Sequence, residues 1–561
     1  MTAPFTHGPL GLALAGLLFS LRIGAAAPPS PIQWREVTAQ TGISFVHTDG
    51  SSGRRYIVET VSCGLATFDY DGDGDIDIYF LNGSPLPGAP TTHPPPRNAL
   101  YRNDGDFKFT DVTQAAGVGD PGYGLGVCAG DYDNDGDQDL YLNNFGPNVL
   151  YRNEGNGTFT DVTRAAGVGN GAKVGAGACF LDIDQDGDLD LYVGNYVDFD
   201  LTRHQTRTVN GHPAYVGPMV YGAVPDTLYR NNGDGTFTDI SRESGVAALA
   251  GTSMGIVCAD YDDDGDTDII VGNDAMANFV WRNNGQGRFE EVGLSTGLAF
   301  DMHGVGQGTM GLECADYDND GRLDFHMTSY QKQWAILYHN GGGGYFVDAT
   351  YATGGGTGTF NQVEWGNGLV DFDNDGDRDL FMVCGHLQDN VELWDDTTQY
   401  KARNLLLENN GKGRFSDISD RAGNGLALKR SGRGAAFDDL DGDGDMDVVI
   451  LNSRSAPTLL RNDTARTNHW TRVRLQGTRS NRDGIGARIK VVAGDLTQVD
   501  EVHSGRGYQS HYGLYPHFGL GPRPRIDRIE VRWIGGGTNV LLNPPVDRLL
   551  TITERSRSAG N

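Results

Sequence analysis

The stretch Asp131-Tyr132-Asp133-Asn134-Asp135-Gly136-Asp137-Gln138-Asp139 puts side-chain oxygens at positions 1, 3, 5 and 9 around a glycine at position 6. A hard divalent cation takes six to eight oxygens at short range and needs a chain that can turn sharply between them, which is the chemistry of a Ca²⁺ loop. The closing carboxylate stands at position 9 rather than 12, and the strand-like Leu140-Tyr141-Leu142 follows at once, so the loop joins two strands. The pattern begins seven times, at Asp69, Asp131, Asp182, Asp260, Asp316, Asp371 and Asp439. The expected side-chain ligands are Asp69, Asp71, Asp73 and Asp77; Asp131, Asp133, Asp135 and Asp139; Asp182, Asp184, Asp186 and Asp190; and Asp260, Asp262, Asp264 and Asp268. The last three loops supply Asp316, Asp318, Asp320 and Asp324; Asp371, Asp373, Asp375 and Asp379; and Asp439, Asp441, Asp443 and Asp447. Carboxylates this dense repel one another unless a cation stands among them. Position 7 is Asp in six loops and Arg322 in the fifth. A position that coordinates through its carbonyl leaves its side chain free, so the position-7 carboxylates read as dispensable as side-chain ligands.

A second set of candidates lies where strand ends meet a channel mouth. Segments before the innermost strands offer Glu59, Tyr123, Lys173, Met254, Met310, Trp365 and Arg433, and the second strands end near Asn82, Asn144, Asn195, Asn273, Ser329, His386 and Asn452. Tyr123, Lys173, Trp365, His386 and Arg433 are the expected ligand contacts; Glu59, His386 and Arg433 are the candidates for catalysis if the protein is an enzyme. His303, His326 and His339 gather around the fifth repeat without zinc-site spacing. No nucleophile elbow, phosphate loop or His-Glu-x-x-His helix is present.

These residues need a scaffold, and the repeats provide it. After each loop come a strand of the DLYLNN type, a second of the LYRN type, an Asn-Gly or Asp-Gly hairpin in the clearest copies, and a Phe-x-Asp segment such as Phe109-Thr110-Asp111 or Phe159-Thr160-Asp161. Four short antiparallel strands per repeat describe the blade of a propeller. The seventh repeat has Leu459-Leu460-Arg461-Asn462 but no Phe-x-Asp after it, while Trp34-Arg35-Glu36-Val37-Thr38 precedes the first loop. The N-terminal strand is therefore expected to complete the seventh blade and close the ring, which removes its edges. The fold class expected is all-β: a seven-bladed β-propeller over 34–462, a linker at 463–468, a β-rich domain at 469–555 and a tail at 556–561. The interval between the third and fourth loops holds an insertion at about 198–225, whose Asn210-Gly211-His212-Pro213 reads as exposed loop. In the second domain Asn481–Arg488, Gly505–Ser510 and His517–Gly521 read as Gly-rich turns, and Glu501–Ser504 as a strand.

The formal net charge is −30. Seven bound divalent ions would roughly halve it, and the remainder still disfavours nucleic acid as a partner. The apolar run Leu10–Leu21 followed by Gly24, Ala25, Ala26 and Ala27 reads as a signal peptide ending near residue 27, with a Pro-rich leader at 28–33. No later run has membrane-spanning length, so the mature chain is expected to lack a transmembrane segment and to be secreted or periplasmic, where weak Ca²⁺ sites fill. Of six cysteines, Cys128, Cys179, Cys258 and Cys314 fall on innermost strands as small hydrophobes; Cys63 and Cys384 are less regular, and the spacing chooses no disulfide.

The loops with their LYRN and GxFxD segments resemble FG-GAP/VCBS repeats. Asn481–Arg488, Gly505–Gln509, His517–Gly521 and the Trp533 of Val531-Arg532-Trp533 resemble the ASPIC/UnbV domain. The pairing is similar to the CRTAC (cartilage acidic protein 1-like) family, whose Ile-Val-Glu-Thr segment matches Ile57-Val58-Glu59-Thr60; its Trp-Pro-Ser-Gly departs here to Trp533-Ile534-Gly535-Gly536. The resemblance implies a calcium-stabilised extracellular protein. The function expected is a calcium-binding protein with about seven structural Ca²⁺ sites, whose propeller face binds a small molecule, glycan or protein partner. The alternative is a cyclase or lyase acting on a small organic or carbohydrate substrate at the channel mouth.

Overall fold

The computed structural model describes residue 1, residues 30–90 and residues 92–555. The Leu10–Leu21 run, the cleavage region near Ala26 and the 556–561 tail lie outside the described residues. Each repeat forms one four-stranded antiparallel blade around a common axis; five blades are separate sheets, and blades 2 and 3 join into one eight-stranded sheet where Lys173 and Val174 pair with Gly146 and Phe145. The second blade shows the order: innermost strand Tyr123–Gly130, metal-loop turn, Asp139–Gly146, Val149–Asn153, hairpin, Phe159–Asp161. The innermost strand is buried along its whole length, which is why its sequence (YGLGVCAG) is small and apolar instead of alternating. The Asp of each Phe-x-Asp segment caps the turn that follows, as when Asp161 Oδ1 accepts the Thr163 N–H at 3.0 Å.

The ring closes between the two ends of the repeat array. Trp34–Glu36 pairs antiparallel with the strand Thr458–Asn462, in the register Trp34 to Asn462 and Glu36 to Leu460. The Trp34 indole packs edge-on against Phe372 at 5.1 Å, so this outermost strand is held by a neighbouring blade as well as its own.

Residues 469–555 form two small sheets. His469–Gln476 lies between His517–Gly521 and, in parallel, Leu549–Thr553. Arg488–Ala493 lies between Leu496–Glu501 and Arg528–Arg532, with Thr538–Leu542 outside. His517–Gly521 is thus a strand and not a turn, and the strand expected at Glu501–Ser504 ends at Glu501. Trp533-Ile534-Gly535-Gly536 is the tight connection between two strands, closed by Trp533 N–H to Gly537 O at 2.9 Å.

This domain covers the face of the propeller that carries the acidic loops, and from it residues 502–513 enter the central channel. Gly507 exchanges both backbone hydrogen bonds with Leu312, at 2.9 and 3.1 Å. Val127 N–H donates to Gln509 O at 3.2 Å, His511 N–H to Leu65 O at 3.0 Å, and Thr67 N–H to His511 O at 3.0 Å. The innermost strands of blades 1, 2 and 5 therefore pair with a chain segment from the other domain. Gly505 (φ +82°) is required: a Cβ there would stand 2.0 Å from Ala178 O. At the inner end the Tyr508 ring meets Trp365 edge-on at 5.0 Å and its hydroxyl donates to Val61 O at 3.2 Å. Gly505–Ser510 is the tight turn expected, closed by Arg506 N–H to Ser510 O at 2.9 Å, and it serves as a plug because the channel offers unpaired strand edges and an apolar lining to fill.

The opposite face is covered by the insertion. The insertion at 198–225 is exposed at Asn210, Gly211 and Pro213, as expected, but it is ordered: Arg207–Val209 and His212–Ala214 form a hairpin turning at Asn210-Gly211, and the chain then crosses to the sixth blade. Tyr215 N–H donates to Gln388 Oε1 at 2.8 Å, and Tyr215 is buried. All six cysteines are buried free thiols. Among the described residues no helix is long and apolar enough to cross a membrane.

Candidate functional site

In the acidic loops, backbone geometry explains the residue at almost every position. Position 4 has positive φ throughout, as Gly72, Asn134, Gln185, Asp263, Asn319, Asn374 and Gly442, and so does the glycine at position 6. This double left-handed turn folds the loop back so that the position-1 carboxylate accepts the N–H groups of positions 5 and 6, at 3.0 and 2.8 Å for Asp131. The position-5 carboxylate accepts the N–H of position 7, as Asp135 does at 3.0 Å. The position-9 carboxylate accepts the N–H of the Asn that ends the third strand, 2.7 Å from Asp139 to Asn153, and of position 2, 3.1 Å to Tyr132.

Carboxylates 1, 3 and 9 converge, with oxygens within 4.8 Å of one another, in Asp69/Asp71/Asp77, Asp131/Asp133/Asp139, Asp182/Asp184/Asp190 and Asp260/Asp262/Asp268. In the fifth loop His339 joins Asp318 and Asp324 in such a group. Asp69 Oδ1, Asp184 Oδ1, Asp262 Oδ1, Asp268 Oδ2, Asp318 Oδ1 and Asp441 Oδ1 are buried with no hydrogen-bond partner. Buried, unpaired carboxylate oxygens turned into a cluster fit a bound cation and little else. Without one, burial pushes Asp77 up to about 9 and Asp131 up to about 8, and neighbouring carboxylates add to both.

Two ladders that the repeat pattern did not reveal tie the loops into a ring. Every third strand ends in Asn, whose side-chain amide bridges blades: Asn153 Nδ2 donates to Gln138 O of its own loop at 3.1 Å and to Tyr70 O of the preceding loop at 2.8 Å. Asn231, Asn283, Asn340, Asn409 and Asn462 do the same, and Asn103 closes the circle on Ile76 O and Leu440 O. In the second ladder, position 4 of one loop donates to positions 6 and 7 of the next. Asn134 reaches Gly187 O and Asp188, Gln185 reaches Gly265 O and Asp266, Asn319 reaches Gly376 O and Asp377, and Asn374 reaches Gly444 O and Asp445. The position-7 carboxylates of Asp188, Asp266, Asp377 and Asp445 are thus inter-loop acceptors, a role apart from metal ligation. Asp263 is a carboxylate at position 4 and cannot donate; it pairs with Arg532 of the second domain at 2.9 Å, Arg322 of the next loop bonds Asn340 O at 2.8 Å, and the second domain's Arg488 donates to Gly321 O at 2.9 Å instead.

Cap arginines also reach the position-1 carboxylates. Arg532 lies 2.7 Å from Asp260, Arg472 3.3 Å from Asp439, and Arg474 3.9 Å from Asp69.

At the other end of the channel, Tyr123 is buried and donates to Asp49 O at 2.6 Å and Val58 O at 3.1 Å. Lys173 is half-buried, its Nζ 2.8 Å from Thr227 Oγ1. Trp365 donates to Gly385 O at 2.6 Å and carries the Arg433 guanidinium over its ring at 4.1 Å. Arg433 is buried and donates to Thr60 O, Ser431 Oγ and Gly432 O. His386 accepts the Gln388 N–H at its Nδ1, and burial, with Arg433 adding, pushes it down to about 4. Glu59 is buried and accepts from Tyr215 Oη at 2.8 Å and Ser52 Oγ at 3.1 Å. Glu59, His386 and Arg433 share a neighbourhood, but among the described residues no hydrogen bond or ion pair joins them. Sequence reasoning missed the network that seals the mouth. Arg454 pairs with Asp49 and with Asp389 (2.9 Å) and donates to Tyr215 Oη at 2.9 Å.

Beside this seal lies a cavity of about 200 Å³ between the insertion and blades 4 to 6. Arg207, Asp274, Tyr330 and Gln333 line it. Asp274 accepts the Tyr196 hydroxyl at one oxygen (2.7 Å), and burial pushes it up to about 6. Gln333 Oε1 accepts Gly308 N–H at 2.8 Å and Ser329 Oγ at 3.0 Å, which leaves its amide nitrogen uncommitted. Neither the Arg207 guanidinium nor the Tyr330 hydroxyl has a hydrogen-bond or ion-pair partner among the described residues. The length of the third-to-fourth interval was the one sequence signal pointing here.

Comparison with known proteins gives the following. The FG-GAP-like repeat family matches residues 69–142, 131–193, 219–271, 260–327 and 371–450, and the ASPIC and UnbV family matches residues 477–559. Cartilage acidic protein 1 of Mus musculus is 29% identical over 359 residues, 59% of this chain and 50% of that protein. Its Homo sapiens counterpart is 24% identical over 57% of this chain and 48% of that protein, and that of Xenopus tropicalis 24% over 84% and 61%. The chain thus spans about half the length of the first two relatives. Among solved structures, BBS1N in complex with ARL6DN aligns at 9% identity and a TM-score of 0.42, over 78% of this chain and 98% of that one. YCF48 bound to D1 peptide aligns at 9% and 0.41, over 78% and 98%.

Proposed function

Because the chain belongs to the FG-GAP-like repeat family and carries a C-terminal ASPIC and UnbV domain, we propose that it is an exported, calcium-held propeller that binds a small polar molecule beside its channel mouth. The observation that carries the reading is the cavity of about 200 Å³ in which Arg207, one oxygen of Asp274, the Tyr330 hydroxyl and the Gln333 amide nitrogen have no hydrogen-bond or ion-pair partner among the described residues. The charged groups that close the mouth are committed: Arg433 stacks on Trp365, Glu59 accepts from Tyr215, and Arg454 pairs with two carboxylates. A pocket with a few convergent polar groups on a rigid rim is the usual form of a small-molecule site. In this reading Glu59, His386 and Arg433 hold the mouth closed and turn over no substrate. Export is supported by the Leu10–Leu21 run and the small residues after it.

Calcium is the cation proposed for the loops, since all-oxygen clusters suit it and each loop carries its ligands on a rigid turn. Asp131, Asp133 and Asp139 and their counterparts would hold it, and the bound ion would supply the positive charge that lets three buried carboxylates ionise together. The test is calorimetric titration of the calcium-loaded protein with a panel of monosaccharides and free amino acids. Binding that is lost in both Arg207→Ala and Asp274→Asn supports the site; binding unaffected by either, or none at all, overturns it.

A further inference from the structure

The fifth blade carries a group of exposed aromatic side chains that the scaffold does not need. Trp334, Tyr351 and Phe360 are 36%, 67% and 40% exposed, and the Trp334 ring lies 5.8 Å from Tyr351 and 5.2 Å from Phe360. The other blades act as the internal control. Trp334 stands two residues before its blade's third strand, where the others have Arg97, Pro147, Pro225, Ala277, Arg403 and Ala456. Tyr351 stands three residues after the last residue of its Phe-x-Asp strand, where the others have Gln114, Arg164, Arg242, Leu294 and Asp420. Phe360 comes from the extended connection between blades 5 and 6. Six blades pack without aromatics at the first of these positions, so folding does not explain them.

The three rings wall a cleft of about 360 Å³ whose other side carries His303, Asp348 and Gln333. Gln333 also lines the cavity beside the mouth, so the two spaces adjoin at one side chain. Lys332 at the rim is neutralised by Asp395 at 3.1 Å, and Asp301 has both oxygens occupied, by the His303 and Val305 N–H groups and by Gln307. What remains free is an amide, an imidazole and one oxygen of Asp348 beside aromatic faces. Apolar rings interleaved with an amide, an imidazole and a carboxylate oxygen match a ligand with apolar faces and hydroxyl edges, and an exposed aromatic patch of this kind marks a contact surface.

We propose that the Trp334 cleft binds a neutral oligosaccharide, one sugar ring lying against Trp334 and Tyr351 while the terminal residue reaches past Gln333 into the cavity lined by Arg207 and Asp274. The inference rests on the mouth reading for the terminal residue and on the cleft alone for the rest. It is tested on the full calcium-loaded chain by tryptophan fluorescence and calorimetric titration with β-linked gluco- and chito-oligosaccharides of two to six residues and with the matching monosaccharides. Oligosaccharides are expected to bind more tightly than monosaccharides, and Trp334→Ala or Tyr351→Ala to weaken them roughly three- to tenfold each without changing the calcium-loaded melting temperature. Monosaccharide binding should respond to Arg207→Ala and not to Trp334→Ala. Oligosaccharide binding indifferent to both cleft variants overturns the cleft while leaving the mouth reading intact. Monosaccharide binding indifferent to Arg207→Ala overturns the mouth reading instead. No oligosaccharide binding at all, or quenching only by an aromatic peptide, overturns the sugar assignment.

Discussion

The side-chain amide of Asn374, at position 4 of the sixth acidic loop, donates to Asp445, at position 7 of the seventh, at 2.8 Å. The same link joins loops 2 to 3, 3 to 4 and 5 to 6. It is absent where position 4 is Gly72 or Gly442, which have no side chain to donate, and where it is Asp263, opposite a loop whose position 7 is Arg322 rather than Asp. Asp263 pairs instead with Arg532 and Arg322 with its own loop's Asp320, while both line one cavity. Arg322→Asp is expected to lower stability by about 0.5–1 kcal/mol, because it removes the partner of Asp320 and of Asn340 O and adds a carboxylate to the cavity that Asp263 also lines. The double variant Asp263→Asn with Arg322→Asp places the residues of the four linked junctions here and should recover part of that loss. A double-mutant cycle in urea measures it, and additive losses would show that the two positions do not face each other in solution.

The loop carboxylates make opposite predictions for stability with and without calcium. In the ion-free protein, burial holds Asp77 at about 9, Asp131 at about 8 and Asp182 at about 7, all above the unfolded value near 4. The folded state then binds more protons than the unfolded one, so this contribution is complete below about pH 4 and is lost as pH rises through 7 to 9. With calcium the carboxylates are held ionised, and acid competes with the ion. Chelated protein should therefore melt at a higher temperature at pH 5 than at pH 8.5, and calcium-loaded protein at a lower one. Parallel pH profiles in both states would count against metal in the loops.

Asn283 carries two buried inter-element bonds, to Ile183 O at 2.9 Å and Thr267 O at 3.1 Å. Asn283→Ala leaves both carbonyls without a donor and should cost about 2–4 kcal/mol. Arg282→Ala, one residue away and exposed with its partner Glu290, should cost under about 1 kcal/mol. Denaturant midpoints of the two variants decide between a structural Asn and a repeat residue without function.

Tyr508 fills the channel against Trp365 and bonds Val61 O. Tyr508→Ala should cost about 3–5 kcal/mol by opening a cavity on the propeller axis. Because residues 502–513 pair with the innermost strands of three blades, the two domains should melt in one calorimetric transition. An independent second transition for residues 469–555, as their separate composition suggests, would show that the channel contacts are weak.

The sequence by itself determined whatever depends on spacing within one repeat. Seven glycine-turned acidic loops, the strand after each and the missing fourth strand of the last repeat were enough to set a closed seven-bladed ring, since a loop's ligands and a strand's alternation are decided within about ten residues. The tertiary structure alone decided what meets across the ring. Tyr508 packs on Trp365 and Tyr215 bonds Gln388 across sequence separations no local pattern records, so where the Gly-rich turn and the insertion dock was decided by the fold. The second role of position 7 was hidden for the same reason: the Asp445 carboxylate faces a donor on the neighbouring blade, outside the loop that contains it. Trp334, Tyr351 and Phe360 were ordinary aromatics in the chain until folding left all three exposed on one side of one blade.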